Sequence, residues 1–108
     1  MAYEQIYEDV DLSKYGLDAT MRVLVNPTRK FRKEFWARCL SGAGDAWADS
    51  VRIILGGDPD VADNLDPIVL HRLLVPHIAD DGKPILPAIF DIWDTYVDVR
   101  VKALAVRP

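Results

Sequence analysis

The sequence has a single cysteine, Cys39, so no disulfide can form within the chain. Its cysteine usage therefore gives no sign of an oxidising compartment. The N-terminus lacks the basic start and apolar run of a signal peptide. No stretch approaches the roughly 18 uninterrupted apolar residues of a membrane span. We expect a cytosolic protein that does not span a membrane.

The motifs of common enzymes are also missing. The sequence has no Gly-x-Ser-x-Gly nucleophile elbow and no Gly-Lys-Ser/Thr phosphate loop. Gly42 and Gly44 begin a Gly-x-Gly pattern, but Trp47 stands where a dinucleotide fingerprint has its third glycine. Cys39 falls on the apolar side of a predicted helix, where a thiol is usually buried and inert. We predict that the protein is not an enzyme and has no catalytic residues and no cofactor.

Metal-binding patterns fail on their spacing. His71 and His77 are six residues apart with a proline between them, whereas two ligands on one helix face are three or four apart. The acidic run that starts at Asp58 resembles a calcium loop. An EF-hand requires Gly at its sixth position and Glu at its twelfth, and Asp63 and Val69 stand there. We expect no metal site.

What the chain does have is apolar material for a core. Half of its 108 residues are hydrophobic, and the length is that of one domain, which we predict over 1–108. Residues 3–12 mix Tyr, Ile and Val with acidic residues, and 20–25 have strong strand propensity. Gly16 permits a turn between them. The pattern predicts a β-hairpin over 3–25, which is marginal alone and should pack on helices.

Two helices are predicted after the hairpin. The segment Asn26-Pro27-Thr28 is a helix start, with Asn26 as the cap and Pro27 at the first helical position. Apolar residues then recur at helical spacing over 28–41. The glycines of Ser41–Asp45 interrupt this helix. Asp45 is predicted to cap a second helix, which ends at Gly56-Gly57.

The second half of the chain predicts further helices. Residues 57–65 are interpreted as an acidic loop, Asp66-Pro67 starts a helix that extends to Val75, and residues 80–84 form a tight turn. Pro87 opens the last helix. One face of that helix is lined by Ile89, Phe90, Trp93, Val97, Val101 and Leu104. The predicted fold is α+β, mainly helical, with the hairpin packed on three to four α-helices over 27–106.

Charge is distributed unevenly along the chain, whose net charge is −4. Residues 22–38 contain six basic residues and one acidic residue, a net charge of +5. Residues 45–66 contain six aspartates and one arginine, a net charge of −5. Such a split can orient a molecule towards a partner. Alternatively, the two segments face each other or water.

The aromatic residues give the candidate binding surface. Trp36 lies at the edge of the apolar stripe of helix 28–41, among basic residues, and Tyr96 lies beside the main stripe of the last helix. For any single Trp a core position is the commoner role, although Trp is also enriched in binding hot spots. We assign Phe90 and Trp93 to the core. The predicted partner-binding residues are Arg29, Arg32, Phe35, Trp36 and Tyr96.

Helix 28–41 also has two other interpretations. Its basic residues can neutralise phosphates while its aromatic residues stack on bases, which is how single-stranded nucleic acids are bound. A basic amphipathic helix can also lie on an anionic membrane. Against both, the aromatic residues fall at core spacing and the whole chain is acidic. A protein partner is the favoured interpretation, and homo-oligomers are left open.

The order of these features resembles the small tail assembly chaperones of long-tailed phages. The matching segments are the strand Met21–Val25 followed by Asn26-Pro27, the basic and aromatic run Phe31–Trp36, the turn Asp80–Pro84, and Leu86-Pro87 before the closing amphipathic helix. The resemblance covers most of the chain in layout.

This resemblance implies a non-enzymatic chaperone in the cytoplasm of an infected host. Such proteins bind the tape-measure protein and help it to acquire its coat of tail-tube subunits. Many have a longer form that is made by a programmed frameshift. The resemblance carries no residue-by-residue binding motif, so the predicted site residues depend on helical geometry alone.

Overall fold

The computed structural model describes residues 3–41, 44–57 and 59–105. Its elements are, in chain order, β1 (Tyr7–Asp11), β2 (Thr20–Leu24), α1 (Arg29–Ser41), α2 (Gly44–Ile54), α3 (Pro59–Asp63), α4 (Pro67–Leu74), β3 (His77–Ile78), β4 (Pro84–Ile85) and α5 (Ala88–Ala105). The fold is α+β and mainly helical, which confirms the predicted class. Parts of three predictions lie outside the described residues: residues 42–43 of the glycine break, Asp58, and residue 106 of the helical part. Within the described ranges, no helix has the length and apolar character needed to cross a membrane.

The predicted N-terminal hairpin is confirmed. β1 and β2 pair antiparallel along all five residues of each strand. Their connection contains a 3-10 turn at Ser13–Tyr15, which is followed by Gly16 with a left-handed φ of 81° that favours glycine. Leu12 and Leu17 of this connection are buried, so the turn adds to the core as well as reversing the chain.

Asn26 does not cap α1, so that prediction was wrong. Its side chain accepts a hydrogen bond from the Ile6 N–H at 2.7 Å and donates one to the Glu4 carbonyl at 2.7 Å. Both the oxygen and the NH2 group of the Asn26 amide are therefore hydrogen-bonded to the chain before β1, and the oxygen is not free to cap the helix. Thr28 caps the helix instead, since its hydroxyl accepts from the Phe31 N–H at 3.2 Å.

The ends of α2 follow the sequence closely. The helix begins one residue before Asp45, so Asp45 lies in its first turn and is not the predicted cap. In the first turn its carboxylate interacts favourably with the helix dipole. Gly56 and Gly57 have φ of 95° and 84°. Their N–H groups donate to the carbonyls of Ile53 at 3.4 Å and Arg52 at 2.5 Å. This is a Schellman motif, and it confirms the predicted glycine stop.

The predicted acidic loop over 57–65 is wrong in its middle, because Pro59–Asp63 forms the short helix α3. Proline suits the first position of a helix and an acidic residue suits its first turn, so this run also satisfies the requirements of a helix start. Asn64 closes the turn: its backbone N–H and its side-chain amide both donate to the Asp60 carbonyl, at 3.0 and 2.8 Å.

The predicted cap and turn in the second half are confirmed. The Asp66 carboxylate accepts from the Ile68 N–H at 2.8 Å and caps α4. After α4 the chain reverses through β3 and β4, which pair antiparallel. Gly82 forms the turn with a φ of 82°, and its N–H donates to the Ala79 carbonyl at 2.9 Å.

The core lies between the hairpin and the helices, and α5 supplies a large part of it. The α5 residues in the core are Ala88, Ile89, Phe90, Ile92 and Trp93. The indole N–H of Trp93 donates to the Leu24 carbonyl at 2.7 Å, which joins the end of β2 to the middle of α5. Burying this polar group requires a partner of this kind.

Only the first half of the α5 apolar stripe is core. Val97, Val101 and Leu104, which the sequence places on the apolar face of this helix, are 48%, 55% and 62% exposed. α1 runs antiparallel to α5, because Arg32 pairs with Asp94 while the later α1 residues contact earlier α5 residues. The partner helix has 13 residues and α5 has 18, so α5 extends past the start of α1.

Candidate partner-binding groove

A groove lies between α1 and α5 and has a volume of about 580 Å³. It is lined by Pro27, Arg29, Arg32, Lys33, Trp36, Leu86, Phe90 and Val97. We refer to these residues as the α1–α5 groove. Its volume is in the range of sites that enclose several apolar groups. Three of the predicted site residues, Arg29, Arg32 and Trp36, line it.

The floor of the groove is aromatic. The rings of Trp36 and Phe90 meet edge to face, with centroids 5.6 Å apart and planes at 89°. This geometry is favourable between aromatic rings, and it fixes the Trp36 indole while leaving it partly exposed. An aromatic ring that is already held in place loses little conformational entropy when a partner covers it.

Positive charge surrounds this floor. The Arg32 guanidinium lies 6.0 Å from the ring centre of Phe90 and 5.8 Å from that of Trp93, and it pairs with the Asp94 carboxylate. Arg32 is therefore held in place and its charge is largely offset. Arg29 and Lys33 are exposed on the rim, and no acidic residue of the described chain lines the groove. The rim favours a negatively charged partner.

Phe35 was predicted as a contact residue, and the structure corrects this. Its side chain is fully buried, with ring centroids 5.9 Å from both Phe90 and Trp93. Successive residues of a helix point about 100° apart, so Phe35 and Trp36 cannot share one face. Phe35 lies on the same face of α1 as Phe31, which packs against the core. Trp36 lies on the face that carries Arg29, Arg32 and Lys33, and these residues line the groove.

Tyr96 is not part of the groove either. It is partly buried on another side of α5, where the Arg100 guanidinium stacks 4.0 Å from its ring centre. Arg100 also approaches the Glu8 carboxylate of β1 at 3.6 Å. Tyr96 lines a second depression, between β1 and α5. The structure therefore does not bring Tyr96 together with Trp36.

Five residues of the groove were not among the predicted site residues: Pro27, Lys33, Leu86, Phe90 and Val97. Leu86 lies in the connection before α5 and is exposed. Val97 was predicted to lie on the apolar face of the last helix and was given no binding role. The exposure of Val97 could have been predicted from the relative lengths of the two helices. The apolar stripe of the last helix is longer than helix 28–41, so its end must extend beyond that partner.

A polar cluster beside α5 resembles a pair of catalytic groups but is a structural contact. The Tyr15 hydroxyl donates to Asp91 Oδ2 at 2.7 Å, and Lys14 Nζ lies 3.0 Å from the same oxygen. Burial and the bond to Asp91 raise the pKa of Tyr15. The bonds from Tyr15 and Lys14 lower the pKa of Asp91. Both shifts move these groups away from the neutral range that acid–base catalysis uses.

The histidines and the cysteine are placed as follows. The rings of His71 and His77 stack with centroids 6.2 Å apart, because the chain turns back after α4. The spacing argument concerned a single helix face, and His77 lies in β3, outside α4. Across the described residues, no group of three or more potential metal ligands occurs. Burial raises the pKa of the Cys39 thiol, which keeps it protonated near neutral pH.

No protein-family profile, curated protein or solved structure matches the chain. The site must therefore be interpreted from its own geometry, and the α1–α5 groove is the surface with the clearest chemistry for binding.

Proposed function

We propose that this chain is a non-enzymatic, protein-binding assembly factor that holds an apolar segment of its partner in the α1–α5 groove. The observation that carries the proposal is the Trp36 indole, which is fixed edge-on against Phe90 and yet partly exposed between positively charged residues. Tryptophan in such a setting is the residue most enriched in binding hot spots.

The shape of the groove supports a helical partner segment. Two helices border it, Trp36 and Phe90 form its floor, and Leu86 and Val97 lie at its edges. An amphipathic helix that enters such a groove places apolar residues at positions i, i+3, i+4 and i+7 on the floor. Acidic residues at the sides of that helix would meet Arg29 and Lys33.

The layout of the sequence suggests which partner this is. Because the chain resembles the tail assembly chaperones of long-tailed phages, we propose the tape-measure protein as the partner, with tail-tube subunits joining later in the host cytoplasm. The aromatic floor and positive rim suit a long helical protein with an acidic, apolar face.

The test is coexpression with a tape-measure protein that is encoded next to this chain. We expect a soluble complex whose dissociation constant rises at least tenfold for Trp36→Ala, because an aromatic anchor in a pocket commonly contributes more than about 1.4 kcal/mol. Trp47→Ala is the matched control, since Trp47 is also partly buried but lies on a different surface, beside Cys39.

Two outcomes would contradict the proposal. One is a complex that tolerates Trp36→Ala and Trp47→Ala equally. The other is a Trp36→Ala protein whose melting temperature falls sharply while its affinity is unchanged, which would make Trp36 a residue of the core.

A further inference from the structure

The α1–α5 groove carries positive charge that the protein itself does not neutralise. Arg32 pairs with Asp94, but neither Arg29 nor Lys33 has a hydrogen bond or an ion pair with any other described residue. Both side chains are exposed, and they lie four residues apart on α1, which places them one turn from each other on the same face. The two oxygens of one carboxylate can therefore accept hydrogen bonds from both cations.

The acidic side chains of the neighbouring surface do not supply that carboxylate. A depression on α5 shares Arg32 and Val97 with the groove and is lined by three aspartates. Each aspartate already has a cationic partner within 3.0 Å, and the pairs are Asp91 with Lys14, Asp94 with Arg32 and Asp98 with Lys102. The positive edge of the groove therefore attracts a negative group from outside the molecule.

The apolar part of the groove lies beyond these charges along α1. Trp36 follows Lys33 by three residues and Arg29 by seven, which corresponds to a rise of about 4.5 Å and about 10.5 Å along the helix. The Trp36 ring meets that of Phe90, and Leu86 adds to the apolar surface. A groove of about 580 Å³ with an aromatic floor and a few charged groups has the composition of a small-molecule site.

We propose that the α1–α5 groove binds a small amphiphilic carboxylate, with the carboxylate between Arg29 and Lys33 and the hydrocarbon part on Trp36 and Phe90. The spacing along α1 selects the length of the ligand, because its charged end and its apolar part must lie about 4.5–10.5 Å apart. A carboxylate with a medium-length hydrocarbon chain meets this requirement, whereas acetate cannot reach the aromatic floor.

The ligand goes beyond the proposed function and does not depend on it. A small carboxylate and a protein segment would both place apolar groups on Trp36, so they compete for the groove. A ligand present at its own dissociation constant occupies half of the molecules and therefore doubles the apparent dissociation constant for the protein partner. The test below uses the chain alone, so its result and that of the coexpression with a tape-measure protein are independent.

Isothermal titration calorimetry of the purified chain with decanoate, at about 0.15 M salt, measures the binding. We expect one site with a dissociation constant between about 10 µM and about 1 mM, which is ordinary for a ligand of this size. Octanoate should bind about fifteenfold more weakly, because each buried methylene contributes about fourfold. Decanol lacks the charge and should bind about three- to tenfold more weakly than decanoate, and decylammonium, which reverses the charge, more weakly still.

Two sets of variants locate the ligand. The double variant Arg29→Gln with Lys33→Gln should bind decanoate no more tightly than decanol. Its matched control is Arg22→Gln with Lys30→Gln, which removes the same two charges from exposed side chains outside the groove lining and should leave decanoate binding nearly unchanged.

Trp36→Ala tests the apolar floor. It should weaken decanoate and decanol alike, by at least about tenfold, because the aromatic floor is lost for both ligands. Trp47→Ala is the control on a different surface. Circular dichroism melting checks the folding of each variant, and the exposed Arg and Lys substitutions should leave the melting temperature nearly unchanged, so they test the site even if Trp36→Ala is destabilised.

Three results would overturn the proposal. The first is a chain that binds no decanoate at millimolar concentration. The second is equal affinity for decanoate and decanol, which would show that Arg29 and Lys33 do not hold the carboxylate. The third is equal weakening of decanoate binding by the two double variants, which would place the ligand outside the groove.

Discussion

At the scale of single residues, Trp93 connects more of the molecule than any other side chain described above. Its ring meets those of Phe31, Phe35 and Phe90 at centroid distances of 6.3, 5.9 and 5.2 Å. Its indole N–H donates to the Leu24 carbonyl. One residue therefore joins the hairpin, α1 and α5 through packing and through one buried hydrogen bond.

We predict that Trp93→Phe lowers the free energy of unfolding by about 2–3 kcal/mol, because the Leu24 carbonyl loses its buried donor and the smaller ring leaves a gap. Urea denaturation followed by circular dichroism measures the change. Trp36→Phe is the control and should cost less than about 1 kcal/mol, since Trp36 is partly exposed. Equal losses for the two variants would contradict this role of Trp93.

The Asp91 contact predicts a dependence on pH. The bonds from Tyr15 and Lys14 hold the pKa of Asp91 below its ordinary value of 3.8. A carboxylate with a lowered pKa stabilises the folded state above its ordinary value, and this contribution is lost as the pH falls through the lowered pKa. The contact is largely exposed, so its contribution is small.

We therefore predict that Asp91→Asn lowers the melting temperature at pH 7 by about 1–5 °C, and that the difference shrinks as the pH falls below 3.8. Differential scanning calorimetry at several pH values measures it. Asp98→Asn, which removes the surface partner of Lys102, is the comparison. A deficit for Asp91→Asn that persists unchanged in acid would contradict the assignment.

At the scale of elements, the sequence was a good guide to where helices, strands and turns form. It was a poorer guide to which side chains those elements bury against one another. The hairpin, the Asp66 cap and the glycine stop after α2 follow from local rules, and the structure confirms them. Asn26 shows the limit of such rules. Asn26 and Thr28, on either side of Pro27, can each cap α1. The chain before β1, twenty residues away from Asn26, decides between them because it forms a hydrogen bond with Asn26.

The candidate site was predicted in part for a similar reason. Helical spacing identifies an apolar face, but it does not give the direction of a residue at the edge of that face. Phe35 and Trp36 are neighbours in the sequence, and the rotation of about 100° between successive helical residues places Phe35 in the core and Trp36 on the groove. For α5, the stripe indicated an apolar face, whereas the shorter length of α1 decided how much of that face is buried.

The basic residues of α1 bear on the nucleic-acid alternative. Arg32 pairs with Asp94, and Arg38 donates to the Ser50 hydroxyl at 2.6 Å, so two of these charges are already engaged within the molecule. We predict a dissociation constant weaker than about 100 µM for a labelled single-stranded oligonucleotide at about 0.15 M salt. Fluorescence anisotropy measures it. Tighter, strongly salt-dependent binding that Arg29→Ala weakens would favour nucleic acid as the ligand.

At the scale of the whole molecule, the shape is extended. The radius of gyration is 14.6 Å, compared with about 13 Å for a compact domain of this length. The longest dimension is 46 Å and the shortest is 29 Å. The second half of α5 contributes to this elongation, since Val97, Val101 and Leu104 are exposed whereas the first half of the helix is part of the core.

The hydrogen bond from Trp93 to Leu24 also sets an order of events during synthesis. The two residues are 69 positions apart. At about 5–20 residues per second, a ribosome needs roughly 3–14 s to make the chain between them. During that interval the apolar side of the hairpin has no α5 to pack against, and α1 lacks Phe90 and Trp93. The core can therefore be completed only after α5 has left the ribosome, and a chain stalled before Ala88 exposes the residues that chaperones and proteases recognise.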